Sequence, residues 1–345
     1  MIKTALCSFG MSGWVFHAPF IDIHPAFELY AVAERSKKAA ADKYPRIKSY
    51  DSVEAMLEDE AIQLVVVNTP NYTHFDFAKK ALLAGKHIVV EKPFTIHVAE
   101  AEELIELAKK QDRKIAVYQN RRWDSDFQTV RQVISEGSLG NIVEAEIHFD
   151  RFSEALSPKQ HKEKPGPGAG ILYDLGSHLI DQALQLFGMP LSLFADATAM
   201  RPISAVDDYF ELLLFYPQHR VRLRGSYQVR EALPAYIIHG SKGSFIKPRG
   251  DVQEADLQRL KPLNEADWGV EPSAAQGLLH TEKDKAIIKE LVPSRPGNYL
   301  AFYDQLADAL LNNVGLPVTA GEGRNVIRII EAAYQSVRQK ATVTI

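Results

Sequence analysis

Over its first 120 residues the chain alternates short apolar runs with segments that carry an apolar stripe at helical spacing. The runs are residues 2–9, 27–33, 62–68, 87–91 and 114–118. Apolar runs this short predict strands, and the continuous run at 62–68 predicts one buried on both faces. Between them the pattern predicts helices from the glycine turn at 10–13 to about residue 23, and over 36–43, 51–58, 72–84 and 98–111. Gly85 marks the stop of the fourth of these. A β-α-β-α order predicts a parallel, doubly wound sheet with right-handed crossovers.

The rhythm changes near residue 120. A helix at 124–136 leads to a strand at 142–151 that alternates polar with apolar, as in a sheet with one face open. Residues 157–170 form a loop rich in Lys, Pro and Gly, and 168–188 is helical. Alternating strands are predicted at 193–199, 209–216, 220–228, 236–240 and 243–247, with turns at Pro217-Gln218 and Ser241-Lys242. Residues 250–298 are polar and read as loop with little regular structure, and helices close the chain at 299–312 and 323–340. The expected fold is α/β, with a doubly wound parallel sheet over 1–120 and an α+β domain with a large, mostly antiparallel open sheet over 121–345. An uncovered sheet face predicts a homo-oligomer.

Composition narrows the class of protein. With 345 residues there is enough chain for two cores, and a net charge of -4 gives no reason to expect nucleic acid or an anionic membrane as partner. No apolar run approaches the ~20 residues of a membrane span, and the N-terminus reads as a buried strand rather than a signal peptide. The single cysteine, Cys7, fits a reducing cytoplasm and a core position. No metal site is expected.

Candidate chemistry lies at four places. In the helix over 168–188, Leu172, Leu175, Leu179, Ala183 and Leu186 share one side, and Asp174, His178, Asp181 and Gln185 form a stripe on the other. Asp174 and His178 are i,i+4 neighbours, and a carboxylate there favours imidazolium and orients a proton-transferring ring. By spacing alone the stripe reads first as the solvated polar face of an ordinary amphipathic helix. The second place is Ser8-Phe9-Gly10-Met11-Ser12-Gly13, a G-x-G-x-x-G dinucleotide turn with Ser8 as its first residue. Gly10 admits the pyrophosphate and Gly13 allows close helix–strand packing. The third is Glu34, about 20 residues on, which suits the ribose hydroxyls of NAD, while Arg35 and Ser36 suit the 2′-phosphate of NADP. The fourth is Glu91-Lys92-Pro93, where Lys92 leaves the carboxyl end of a strand and can hold a developing alkoxide. Pro93 is a candidate for a cis bond.

These residues resemble the glucose–fructose oxidoreductase / inositol dehydrogenase (Gfo/Idh/MocA) family. The likeness rests on the glycine turn, on Asn68-Thr-Pro-Asn-Tyr-Thr-His74, on Ala84-Gly-Lys-His-Ile-Val-Val-Glu-Lys-Pro93 and on Tyr173-Asp-Leu-Gly-Ser-His-Leu-Ile-Asp181. Residues 13–19, 119–124 and 176–181 further resemble the branch that contains NADP-dependent scyllo-inositol dehydrogenases. The resemblance implies a Rossmann domain that binds NAD(P) through Ser8, Gly10, Met11, Ser12, Gly13, Glu34, Arg35, Ser36, Thr69, Pro70, Asn71, His74, Glu91 and Lys92. It implies Lys92, Asp174 and His178 as catalytic, substrate-contacting residues, with Arg122 and Trp123 near the substrate. The expected reaction passes a hydride between a polyol or sugar carbinol and the nicotinamide, with a cover from a flexible segment at 165–170. An inositol-like substrate heads the candidates. An aldose, a dihydrodiol, or an NAD(P)-binding sensor without turnover are the alternatives.

Overall fold

The computed structural model of the chain describes residues 1–36 and 38–345. It divides into two compact units: residues 1–120 with 254–261 and 299–327, and residues 121–253 with 262–298 and 328–345. The chain therefore returns to the first unit twice after the change of rhythm near residue 120.

The first unit is built on six parallel strands, β1 (Ile2–Leu6), β2 (Phe27–Ala33), β3 (Lys48–Tyr50), β4 (Leu64–Val67), β5 (His87–Glu91) and β6 (Ile115–Tyr118), in the order β3-β2-β1-β4-β5-β6. This is the doubly wound order, whose ligand crevice opens where the winding reverses, beyond the carboxyl ends of β1 and β4. All four residues of β4 are fully buried, as a continuous apolar run requires. The edge strand β3 is only three residues long with two of them exposed, too short and polar to read from its pattern. The helix expected over 36–43 forms only at Ala40–Lys43, and Lys37 lies outside the described residues. The returning helix Leu300–Leu311 brings Phe302 and Tyr303 into an aromatic cluster with Phe20, Phe27 and Tyr118, all fully buried or nearly so. That apolar burial explains why a segment so late in the chain belongs to the first core. The backbone at Val117 and Val318 is also bonded, N–H to O, at 3.1 Å.

The second unit is a nine-stranded sheet: β7 (Ile142–Asp150), β8 (Ser192–Thr198), β9 (Tyr209–Phe215), β10 (Arg220–Ser226), β11 (Tyr236–Gly240), β12 (Gly243–Lys247), β13 (Gly277–Lys283), β14 (Ala286–Val292) and β15 (Val343–Thr344). The order is β14-β13-β12-β11-β7-β10-β9-β8-β15, antiparallel except where β7 meets β10. Alternation decides the faces. Ala145, Ile147, Val221, Leu223, Phe210, Leu212 and Ile238 are buried on one side, where the helix Ser177–Phe187 packs on β7 and β10. The opposite side carries the ion pairs Arg222–Glu146 at 2.7 Å and Arg222–Glu211 at 2.9 Å, with Phe194 left 40% exposed.

Residues 250–298 are not the loop their composition suggests. They hold the helix Gln253–Gln258 and the hairpin β13–β14, which extends the sheet at β12. Lys283 pairs with Ala286 across a two-residue turn in which Asp284 and Lys285 both have positive φ, 53° and 67°. Such a turn normally advertises itself by Asn-Gly or Asp-Gly, and Asp-Lys does not. Among the described residues no helix is long and apolar enough to cross a membrane.

Candidate active site

In the first unit the predicted residues collect at the carboxyl ends of β1, β2, β4 and β5. Ser8 occupies the place of the first glycine and is locked to the end of β4. Its N–H donates to Asn68 Oδ1 at 3.0 Å, its hydroxyl to Asn68 O at 2.9 Å, and Asn68 Nδ2 returns a bond to Ser8 O at 2.9 Å. The backbone bonds are open to any residue at this position, and the serine adds the third through its hydroxyl. Gly13 and Gly10 differ in what surrounds them. A Cβ on Gly13 would lie 2.5 Å from Ser8 O and 3.0 Å from Asn68 Nδ2, so only glycine fits. A Cβ on Gly10 would meet nothing nearer than Ser8 Oγ at 3.9 Å, which leaves its surface open to a ligand. The helix that follows begins with a π-helical turn, Gly13–His17, a form that recurs at functional sites. An open glycine before a helix start fits a pyrophosphate.

Glu34 is 6% exposed and turned inward. Its Oε1 accepts from the N–H groups of Ala39 and Ala40, at 2.8 and 3.2 Å, and its Oε2 from the Ser49 hydroxyl at 3.0 Å. Arg35 and Ser36 beside it are exposed. Thr69, Pro70 and Asn71 follow β4, where the Thr69 and Thr73 hydroxyls meet at 2.6 Å. His74 is buried, with Nδ1 2.8 Å from Pro93 O and Nε2 3.0 Å from Thr69 O, so it ties the two loops together. Burial pushes its pKa below the ordinary value despite those carbonyls. The Lys92–Pro93 bond is cis. Cys7 is buried, and burial pushes its thiol up, as expected of a core residue.

Glu91 is the centre of a network that the sequence reading did not foresee. Its Oε1 takes bonds from the Ser12 hydroxyl and from His17 Nε2 at 3.0 Å, and its Oε2 accepts the N–H of Lys92 at 3.2 Å. His17 is fully buried, and its Nδ1 lies 2.6 Å from the Tyr303 hydroxyl. Burial works to raise the Glu91 pKa, but the bonds from His17 and Ser12 and the charge on Lys92 outweigh it and hold the carboxyl at about 2. Glu91 therefore joins the glycine turn, through Ser12, to the backbone of Lys92. His17 lies within a stretch that the family resemblance picks out, but Tyr303 comes from the returning helix, and no spacing rule connects them.

In the second unit the stretch read as one helix is a π-helical turn, Leu172–Gly176, followed by the α-helix Ser177–Phe187. A wheel drawn at a constant angle does not carry from Asp174 to His178 across that change. The π turn seats on Phe210: a Cβ on Gly176 would lie 3.3 Å from its ring and 2.7 Å from Leu172. The polar side is not a solvated face, since His178 is 5% and Asp181 2% exposed. Arg122, expected near the substrate, is 5% exposed and grips Asp181 with two bonds of 2.7 and 2.8 Å. It thereby holds the turn of helix just past His178. Trp123 is 9% exposed, and its carbonyl accepts from Asn298 N–H at 3.0 Å and Gln253 Nε2 at 3.1 Å. Asp174 is ion-paired to Lys162 at 2.6 Å, a partner absent from the sequence reading.

Residues 2–119 match the oxidoreductase family's NAD-binding Rossmann fold, and 131–345 match the C-terminal alpha/beta domain of the same family. The chain is 39% identical over 342 residues to the uncharacterized oxidoreductase YdgJ of Escherichia coli, covering 99% of this chain and 98% of that one. It is 38% identical to the scyllo-inositol 2-dehydrogenase (NADP(+)) IolW of Bacillus subtilis, covering 99% and 95%. Among solved structures, the oxidoreductase yvaA from Bacillus subtilis superposes with a TM-score of 0.95 at 37% identity, covering 100% of this chain and 98% of that one. An oxidoreductase from Bacteroides fragilis gives 0.91 at 45% identity, with each chain covered in full. With both domains matched, the glycine turn in place and Gly10 open, the chain belongs to the Gfo/Idh/MocA oxidoreductase family and its first domain is the NAD(P)-binding one.

Proposed function

We propose that the protein is a dehydrogenase of a polyol or sugar hydroxyl, inositol-like, that uses NADP. The observation that carries this is one chain joining an open dinucleotide turn to Lys92 at the end of β5 and to a buried histidine, His178, four residues after Asp174. The full-length likeness to IolW supports the substrate class and the cofactor. So does Glu34, whose carboxylate is engaged with backbone N–H groups while Arg35 and Ser36 are exposed to meet a 2′-phosphate.

Ser8, Gly10, Met11, Ser12 and Gly13 would hold the pyrophosphate, Thr69, Pro70 and Asn71 would line the same strand ends, and Arg35 and Ser36 would hold the 2′-phosphate. Bound there, the cofactor supplies a nicotinamide that takes or returns a hydride at the carbinol carbon. His178 takes the hydroxyl proton during oxidation and returns it during reduction. Lys92 donates to the same oxygen as negative charge gathers on it. Glu91 fixes the backbone from which Lys92 departs, His74 holds the Pro93 loop, and Arg122 holds the helix of His178 through Asp181. We also take the open face of the nine-stranded sheet to be covered by a second copy of the chain, and the protein to work in the cytoplasm.

A panel of inositols, other polyols and sugars with NAD and NADP, followed at the reduced-nicotinamide absorbance band, tests this reading. Turnover of a cyclic polyol, faster with NADP, is the expected result. Tight cofactor binding with no turnover of any polyol or sugar contradicts it and points to a sensor instead.

A further inference from the structure

Glu34 directly follows β2, where a carboxylate in a dinucleotide-binding sheet takes the ribose hydroxyls and by its charge opposes a 2′-phosphate. In this chain the carboxylate is occupied within the protein. Its Oε1 accepts the N–H groups of Ala39 and Ala40, and its Oε2 accepts the hydroxyl of Ser49 on the neighbouring strand β3. The backbone of the same residue is bonded in both directions. Its N–H donates to Tyr50 O at 2.8 Å, and its carbonyl accepts Lys38 Nζ at 2.8 Å. Residues 38, 39 and 40 thus all return to Glu34. Ala40 is itself fully buried and begins the short helix Ala40–Lys43, which anchors the far end. Lys38 also reaches Asp51 at 2.7 Å, but those side chains are 43% and 90% exposed, and so wet a pair holds little. The fastening lies in the bonds to Glu34. Arg35 and Ser36 stand inside the segment so closed, and both are exposed.

We propose that Glu34 is a positioning residue for the 2′-phosphate of NADP, holding the segment that presents Arg35 and Ser36, and that this outweighs the repulsion of its own charge. The inference rests on the reading of Arg35 and Ser36 as the phosphate ligands. Two effects of opposite sign meet at this carboxylate. Its charge, taken alone, makes NADP bind more weakly. Its bonds make NADP bind more tightly, because a segment ordered in advance is not ordered at the cost of binding. The bonds prevail for two reasons. A carboxylate that accepts from backbone N–H groups forms strong, charge-assisted bonds. The same N–H dipoles point their positive ends at it and offset the charge that a phosphate would meet. The bonds also reach both β3 and the start of the helix, so losing them frees the segment at its far end and its side together. NAD has only hydroxyls at this place, so its binding does not depend on Arg35 and Ser36.

The test is the dissociation constants of NADP and NAD, measured by calorimetric titration of the intact protein, for wild type, Glu34→Ala, Glu34→Gln and Ser49→Ala. Glu34→Ala removes charge and bonds together and should weaken NADP about tenfold while NAD changes less than about threefold. Glu34→Gln removes the charge but keeps an oxygen for the two N–H groups and an amide for the Ser49 hydroxyl. It should bring NADP back to within about threefold of wild type. Ser49→Ala removes one bond of the three and should weaken NADP about threefold, again with little change for NAD; it carries the test if Glu34→Ala does not fold. If both Glu34 variants bind NADP more tightly than wild type, the carboxylate is a repelling charge and the proposal is overturned. If Glu34→Ala, or Ser49→Ala in its place, weakens NADP and NAD alike or changes neither, Glu34 is a structural tie, which also overturns it. A wild type that binds NAD more tightly than NADP contradicts the NADP reading instead, and the proposal about Glu34 then stands or falls on the direction in which Glu34→Ala moves the ratio.

Discussion

Gly10 and Gly13 stand three residues apart in one turn and are required for different reasons. Gly13 faces protein, because its absent Cβ would press on the Ser8 carbonyl at 2.5 Å. Gly10 faces open space. Gly13→Ala should therefore destabilise the fold by about 1–3 kcal/mol, the usual cost of overpacking, visible as a lowered unfolding midpoint. Gly10→Ala should leave that midpoint unchanged and weaken NADP binding at least tenfold in a fluorescence titration. Equal behaviour of the two variants would contradict the division. A second residue-scale prediction concerns Arg35. If it meets the 2′-phosphate, Arg35→Ala removes one charge-assisted bond, and kcat/KM with NADP should fall about tenfold or more while that with NAD changes little. Matching losses with both cofactors would place Arg35 away from the phosphate.

At the scale of elements, much was legible in the chain. β5 runs over the predicted 87–91, the strands at 236–240 and 243–247 keep their predicted ends, and Lys92 leaves the carboxyl end of β5 as expected. Those segments are decided by local pattern, which a sequence displays directly. What was not legible depends on contacts distant in sequence. Ser8 reads as a defect in a glycine motif until its hydroxyl is seen to bond the carbonyl of Asn68, sixty residues away. The sequence places Arg122 near the substrate but does not show that Asp181, fifty-nine residues on, lies in its fork. The π turns at Gly13–His17 and Leu172–Gly176 change the helical period where the chemistry lies, and no periodicity count signals them. The hairpin β13–β14 was missed because its turn uses Asp284-Lys285 in a conformation that favours glycine. Replacing the second of these relieves the crowding of a side chain at positive φ, which costs ~1 kcal/mol. Glycine also frees the unfolded chain, which offsets roughly half or more of that relief, so Lys285→Gly should raise the unfolding free energy by up to about 0.5 kcal/mol in denaturant titration. A loss of stability would mean that the Lys285 side chain matters more than its backbone.

At the scale of the whole molecule, the second sheet leaves one face to solvent. Phe194 is 40% exposed there, and Ile287 and Leu291 on the edge strand β14 are 69% and 60% exposed. These apolar residues lie toward opposite ends of the sheet with the Arg222–Glu146 and Arg222–Glu211 pairs between them, a mixed polar and apolar face of the kind that subunit interfaces cover. Sedimentation at micromolar concentration should give a dimer or larger species, and Phe194→Glu should shift it toward monomer. A monomer for the wild type would remove the second copy from the proposal.

The central claim is that His178 is the base of a dehydrogenase whose cofactor is held elsewhere, and the pH profile of polyol oxidation tests it most directly. For the wild type the rate should rise with pH as His178 loses its proton. For His178→Ala the rate should fall by ~10²–10⁴ and the rise should vanish, while the NADP dissociation constant stays within about a factor of two. If His178→Ala keeps both the rate and the rise, His178 is not the base, and the account of this site is wrong.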